Sequence, residues 1–281
     1  MTIITSPSYA TIGGINLSSV EDSGVQWIMS KLVGWAAPGG TLSPKQRVRA
    51  AGAWGGLSYA KPRTLVVEGA CIAPTAALAS DALDRLVDSC SLDASVFTVV
   101  ESGRSRWCNV RRDGDILATW MDATVFTWSV QFAAMDPRKM STAVTGSTGL
   151  PSSSGGLTVP YTVPYSINAV QTSGQVSLVN PGNETGPVTM RIDGPITAPV
   201  ITHVGSGLSL VFSASATLGS GEYWTVDMEA QTVLAQGQVS RAQYVTSRQW
   251  SGFEPGVNVW SFTAASYTSA LLTVTGTPAY K

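Results

Sequence analysis

Histidine is almost missing from this chain of 281 residues, where His203 stands alone. A site built on two imidazoles, such as the paired-histidine helix of zinc proteases, is therefore excluded. Cysteine is nearly as scarce. Cys71, Cys90 and Cys108 stand 19 and 18 residues apart, so no CxxC pair exists to make a zinc ribbon or a thioredoxin-like redox site. An odd, sparse count predicts reduced, buried thiols acting as small hydrophobes. Charged residues make up only 12%, about half the usual share. The net charge of −1 argues against a protein held to nucleic acid by phosphate neutralisation. No apolar run approaches the roughly 18 residues needed to span a bilayer. The stretch Met1 to Pro7 lacks the basic start and apolar block of a secretory signal, which predicts a protein made and kept in a cytoplasm. On that expectation the sequons at Asn16 and Asn183 carry no weight. A GxxxxGK[ST] phosphate loop and a GxSxG elbow are also missing. Most familiar enzyme chemistries are thereby excluded, and no cofactor or bound metal is expected.

What is present is uneven. Residues 1–140 carry 13 Lys/Arg and 12 Asp/Glu, whereas residues 141–281 carry 4 and 6. Between the halves, Ser141 to Gly156 is rich in Ser and Gly, uncharged and without apolar periodicity. Such composition reads as a linker or long exposed loop. The chain is accordingly divided into an amino-terminal domain (1–140), a linker (141–158) and a carboxy-terminal domain (159–281).

Strand signatures fill both halves. Val188, Met190 and Ile192 alternate with Thr189, Arg191 and Asp193, the period of a strand with one buried face. Leu208 to Phe212 and Tyr223 to Met228 repeat it, separated by Gly/Pro turns. In the first half Phe126, Trp128, Val130 and Phe132 share one strand face, and Asp113-Gly114 predicts a hairpin between two strand-like runs. One helix is predicted from Pro74 to about Cys90, with Leu83, Leu86, Val87 and Cys90 at helical spacing. Thr75 would cap it, and Asp81 and Asp84 would sit early, where the helix dipole favours negative charge.

Candidate chemistry is weak against its structural alternatives. His203 lacks an evident nucleophile and orienting acid, so a structural role is expected. Asp227 and Glu229, read as sharing a strand face roughly 7 Å apart, have a spacing compatible with an inverting glycosidase, but a solvated face is the preferred reading. Arg104, Arg106, Arg111 and Arg112 are balanced by Glu101, Asp113 and Asp115, which favours exposed strands or a protein–protein rim over a phosphate site. Nine tryptophans offer sugar-stacking faces, although most are expected to fill cores or interfaces.

Four stretches carry a family resemblance. Ser247 to Phe262, through Trp250, Phe253, Pro255-Gly256, Asn258 and Phe262, resembles the ending of phage distal tail proteins of the siphovirus type. Upstream, Val179 to Gly182, Pro187 to Ile192 and Gly194-Pro195 resemble the opening of that family's carboxy-terminal domain. Lys61 to Gly69, through Arg63 and Gly69, resembles its Arg-to-Gly strand. Phe132 to Pro137, ending in Asp136-Pro137, resembles the close of its amino-terminal domain. A local cause also exists for the Pro-Gly-x-Asn turn, because Gly supplies positive φ and Asn bonds nearby backbone.

The resemblance implies a mainly β, two-domain structural protein and not an enzyme. A sandwich-like ring domain with one helix would precede a galectin-like β-sandwich. It further implies a homo-hexameric ring at the phage tail tip, in contact with the tail tube protein and with tail-tip or receptor-binding proteins. Assembly would take place in the host cytoplasm, and the virion tail tip would be the final location. The competing reading is a glycan-binding sandwich for attachment to a host surface. For ring formation, the run Thr64 to Ala73 is expected to present an edge strand guarded by little charge.

Overall fold

The computed structural model describes residues 9–154, 170–172, 174–267 and 269–281. The chain separates into two compact units, Met1–Ser141 with Lys281, and Thr142–Tyr280. Residues 155–158 of the expected linker, and the first residues of the expected second domain, lie outside the described residues.

The first unit is built on antiparallel strands around one core. Arg104–Arg112 joins two sheets. Residues 104 to 110 pair with Ser95–Glu101, which pairs with Tyr9–Ile12. Arg111 and Arg112 instead pair with Ala133 and Phe132 of Val125–Ala134. That strand pairs with Arg63–Ile72, which in turn pairs with Gln26–Val33. A strand shared in this way turns both sheets toward a common interior, filled by Trp27, Phe97, Phe126 and Phe132. The predicted face Phe126, Trp128, Val130 and Phe132 is buried throughout.

Several expectations for this unit are corrected. Arg63–Ile72 is no edge strand, because it is paired on both sides, and its alternate residues Arg63, Leu65, Val67, Gly69 and Cys71 are all buried. The run containing Asp113-Gly114 is no hairpin. Leu117–Asp122 pairs with Val125–Ala134, as does the end of Arg104–Arg112, so these two strands follow one another along one edge of a third and do not pair with each other. Ala76–Ser89 is the helix, and the Thr75 side chain accepts from Leu78 N as expected. Its buried face is Ala79, Ala82 and Leu86, whereas Val87 is exposed. No acidic residue occupies the first turn, so Asp81 and Asp84 lie beyond the reach of the terminal dipole.

The second unit is built mainly on two sheets sharing one apolar core, with smaller ones beside them, among them Ile196–Thr197 between Thr217–Leu218 and Ser266–Tyr267. Of the main two, one runs in the order Val144–Gly149, Leu271–Gly276, Val188–Asp193, Tyr223–Asp227, Thr232–Ala235, Val239–Ser240. The other runs Gln175–Asn180, Gly256–Thr263, Val200–His203, Ser209–Phe212, Val245–Arg248. Met190, Ile192, Trp224, Val226, Leu272 and Val274 from the first meet Val176, Leu178, Ile201, Leu210, Trp260 and Phe262 from the second.

The linker reading fails over residues 144–149. Val144–Gly149 is an edge strand paired residue for residue with Leu271–Gly276. Its polar composition conceals it, because only Thr148 within it is fully buried. Gly146 also lets the facing sheet come close, since a Cβ there would lie 2.7 Å from Val176.

Candidate functional site

Most of the sequence-derived positions fall into two knots, one in each unit. In the first, the buried guanidinium of Arg63 spans three carbonyls. Nε and Nη2 donate to Pro137 O (3.0 and 2.8 Å), and Nη1 donates to Gly34 O (2.8 Å) and Trp35 O (2.7 Å). A single planar fork thus ties the start of a central strand to the turn after Ala134 and to the turn after Val33. Burial pulls the guanidinium below its ordinary pKa. Asp136 grips the same turn from outside, accepting from Arg138 Nε (2.9 Å), Arg138 Nη2 (2.7 Å) and the Arg138 backbone N–H (3.0 Å). Arg63, Asp136 and Pro137 are therefore brought together. Gly69 is placed elsewhere along the strand for a different reason. A Cβ there would lie 2.4 Å from Ile28 O and 2.5 Å from the Trp128 ring, so its role is close approach.

Lys139 belongs to this knot and the motif reading missed it. Its ammonium is buried and donates to Trp35 O (3.2 Å) and Ala36 O (2.9 Å), with Nζ 5.6 Å from the Trp35 ring centroid. Burial first, then the Arg63 and Arg106 charges, lower its pKa to about 8. Nothing in the sequence separates this lysine from an exposed one.

The second knot centres on Asn258, which is buried. Its Nδ2 donates to Glu254 O (2.7 Å) and Gly256 O (3.1 Å), and its Oδ1 accepts from Glu254 N (2.9 Å). Gly256 has φ +95, the left-handed conformation expected for the Pro255-Gly256 turn. With Nδ2 committed, Asn258 Oδ1 also faces His203 Nε2 at 3.2 Å and so accepts from it. That leaves His203 Nδ1 to accept from Ser206 Oγ (2.7 Å). Trp250 packs half-buried on the core. Gly182 sits in a separate turn, where a Cβ would lie 1.9 Å from Ala279 O. Asn180, which lies within the Val179 to Gly182 stretch without an expected role there, organises that turn by donating to Phe253 O (2.7 Å) and accepting from Gly182 N (2.8 Å).

These contacts are structural in chemistry. Apart from the Asp136–Arg138 and His203 contacts, the groups they engage are backbone carbonyls and amides, which need partners wherever the fold takes them out of water. His203 is buried against Asn258 and Trp260, in agreement with its expected structural role. The strand carrying Asp227 ends there and Glu229 lies in the following turn, which corrects the shared-face reading. Asp227 Oδ1 accepts from the backbone N–H of Glu229 (2.9 Å) and of Ala230 (2.8 Å), so its carboxylate shapes that turn. The three thiols are buried and raised to about 11, 12 and 11 by burial, which makes them poor nucleophiles. Among the described residues no cluster of three or more His, Cys, Asp or Glu is placed to hold a metal ion, and no helix is long and apolar enough to cross a membrane.

Of the tryptophans, Trp27, Trp35, Trp128, Trp224 and Trp260 are buried, and Trp54 and Trp120 are exposed. Two surface features stand out. One is a cleft of about 400 Å³ in the second unit, lined by Glu222, Tyr223, Gln236, Gln238, Arg241 and Tyr244 among others. The other is residues 39–62 of the first unit, exposed at every position.

No protein-family model matches the chain, and no curated protein matches it by sequence. Solved structures do match. The SPP1 Dit (gp 19.1) protein, described as a paradigm of the hub adsorption apparatus in phages infecting Gram-positive hosts, superposes with a TM-score of 0.66 at 14% identity. That alignment covers 98% of this chain and 99% of that one. Chains of the phage P2 baseplate in its activated conformation, with calcium and with strontium, give TM-scores of 0.51 at 10% and 11% identity. Each covers 95% of this chain and 97% of the other. The chain thus has, over nearly its whole length, the mainly β fold of the SPP1 Dit protein.

Proposed function

We propose that this protein is a structural component of a phage tail tip, forming a ring of six copies that joins the tail tube to the adsorption apparatus. The observation carrying the reading is the end-to-end match with a hub protein, in which neither chain has a substantial unmatched part. Four sequence motifs in family order point the same way, and two of them meet in space as Arg63 and Pro137. A role in scaffolding rather than catalysis agrees with side chains that are spent on holding backbone. The partners would be further copies of the chain, the tail tube protein and receptor-binding proteins, with the virion tail tip as the location. Electron microscopy of particles labelled with an antibody to this chain tests the proposal. Label at the distal end of the tail is expected, and label confined to the capsid or sheath overturns it.

A second reading, attachment to glycans through a galectin-like second unit, is favoured by the cleft beside Tyr223 and Tyr244. Aromatic faces next to Gln236, Gln238 and Arg241 suit a sugar ring with several hydroxyls. Glycan-array binding abolished by Tyr223→Ala would support it, and an array without signal removes it.

A further inference from the structure

Residues 39–62 form a two-stranded arm between Gln26–Val33 and Arg63–Ile72. Gly40-Thr41 pairs with Tyr59-Ala60, and Lys45-Gln46 pairs with Ala53-Trp54. Every residue of this arm is exposed, including Val48 at 96%, Leu42 at 75%, Leu57 at 73% and Trp54 at 64%. An isolated two-stranded ribbon is marginal in water, and one that displays its apolar side chains calls for a surface to cover them. Its charge has one sign. Between Asp22 and Glu68 the sequence has no acidic residue, and the arm holds Lys45, Arg47, Arg49 and Lys61. Three of these cluster at the tip, where Arg47 N–H donates to Gly52 O and the guanidinium stacks 4.6 Å from the Trp54 ring.

A complementary surface exists on the same unit. Asp81, Asp84 and Asp88 are all exposed on the helix Ala76–Ser89. At spacings of three and four they line one face and repel one another. Arg85 on that helix is committed to Glu21 at 2.9 Å. Val87 and Leu92, both exposed, provide apolar surface close to the stripe in sequence. Among the described residues neither the four cations of the arm nor the three aspartates form an ion pair within the chain.

We propose that the arm is an assembly hook, whose basic tip Lys45, Arg47 and Arg49 seats on the Asp81, Asp84 and Asp88 face of the next copy. The occupant is a second copy because one chain carries both halves of the match, on different elements. A contact of this kind is heterologous, each copy giving its arm and receiving another, and such contacts close into a ring when the rotation allows. The inference rests on the ring reading above and names its interface.

Two full-length variants test it. One has a reversed arm (Lys45→Glu, Arg47→Glu, Arg49→Glu) and the other a reversed helix face (Asp81→Lys, Asp84→Lys, Asp88→Lys). All six positions are exposed, so both variants should fold, as circular dichroism checks; Gln at the arm positions and Asn at the helix positions serve if a reversal fails to fold. By light scattering, each reversed variant alone is expected to need at least tenfold more protein than the parent to assemble. An equimolar mixture is expected to assemble like the parent, because the acidic arm of one then meets the basic helix of the other, alternating around an even-numbered ring. A parent that remains monomeric overturns both this inference and the ring reading. A parent that assembles, with variants that assemble equally well alone, overturns only this one. So does a mixture that fails to recover assembly, and so do variants that assemble normally but lose binding to a different, acidic tail protein.

Discussion

Arg63 shows how much of a fold can hang on one side chain. Its guanidinium answers carbonyls of Gly34, Trp35 and Pro137, and removing it takes these donors from Gly34 O and Pro137 O, while Trp35 O keeps Lys139 Nζ. Arg63→Met is expected to lower stability by about 3 kcal/mol or more, read from the urea midpoint, with Arg63→Lys in between because one ammonium cannot copy the fork. Two glycines separate two kinds of constraint. Gly256→Val meets no neighbouring atom but must hold φ +95, at a cost of about 1–3 kcal/mol. Gly69→Ala has ordinary room in φ but drives a methyl into Trp128 and Ile28 O, and overpacking of this kind costs roughly 1–3 kcal/mol. Equal stability of either variant and the parent would contradict these assignments.

Lys139 makes a prediction of sign. Its folded pKa of about 8 lies below its ordinary 10.5, so above pH 8 the unfolded chain binds more protons and stability rises with pH. The cysteines oppose this, since their folded values of about 11, 12 and 11 lie above the ordinary 9.0. Three unfolded thiols already lose protons below pH 9 and offset the lysine, so the sign is read from the difference between variants: the parent is expected to gain stability relative to Lys139→Met between pH 8 and 9. A parent that loses stability relative to that variant across this window overturns the assignment.

At the scale of elements, protection follows pairing rather than composition. Val144–Gly149 looks like linker but is paired along its whole length, whereas the arm at 39–62 has strand-like residues and no burial. Limited elastase digestion should cut within 39–62 well before 144–149; early cleavage at 144–149 would show that the edge strand is not held. For the helix, Thr75→Ala removes the acceptor for Leu78 N and is expected to cost about 1 kcal/mol, seen as a matching loss in thermal or urea stability.

At the scale of the whole molecule, the prediction is assembly. The central strand Arg63–Ile72 is spent on both sides, so it offers no free edge to another copy, and in the proposed ring the exposed arm and helix face take that role. Light scattering of the full chain is expected to give a mass near six times the monomer, with ring-shaped particles by negative stain. A stable two-fold dimer would contradict it, because a self-complementary patch cannot propagate around a ring.

Local pattern was enough for much of this protein. Alternation placed the strands through Phe126 and Met190, helical spacing and Thr75 placed the helix, and the Gly256–Asn258 turn was legible because glycine and asparagine act on backbone within a few residues of themselves. The scarcity of histidine and cysteine, too, is a property of composition alone. Only the tertiary structure decided which strand lies inside a sheet, that a Ser/Gly run completes one, and that Lys139 is buried while Lys45 is not. Those outcomes depend on partners far away in sequence: Leu271–Gly276 for the edge strand, Trp35 and Ala36 for the lysine, Gln26–Val33 and Val125–Ala134 for the central strand. Pairing and desolvation are set by what the chain brings alongside a residue, and a window of neighbours carries no record of that.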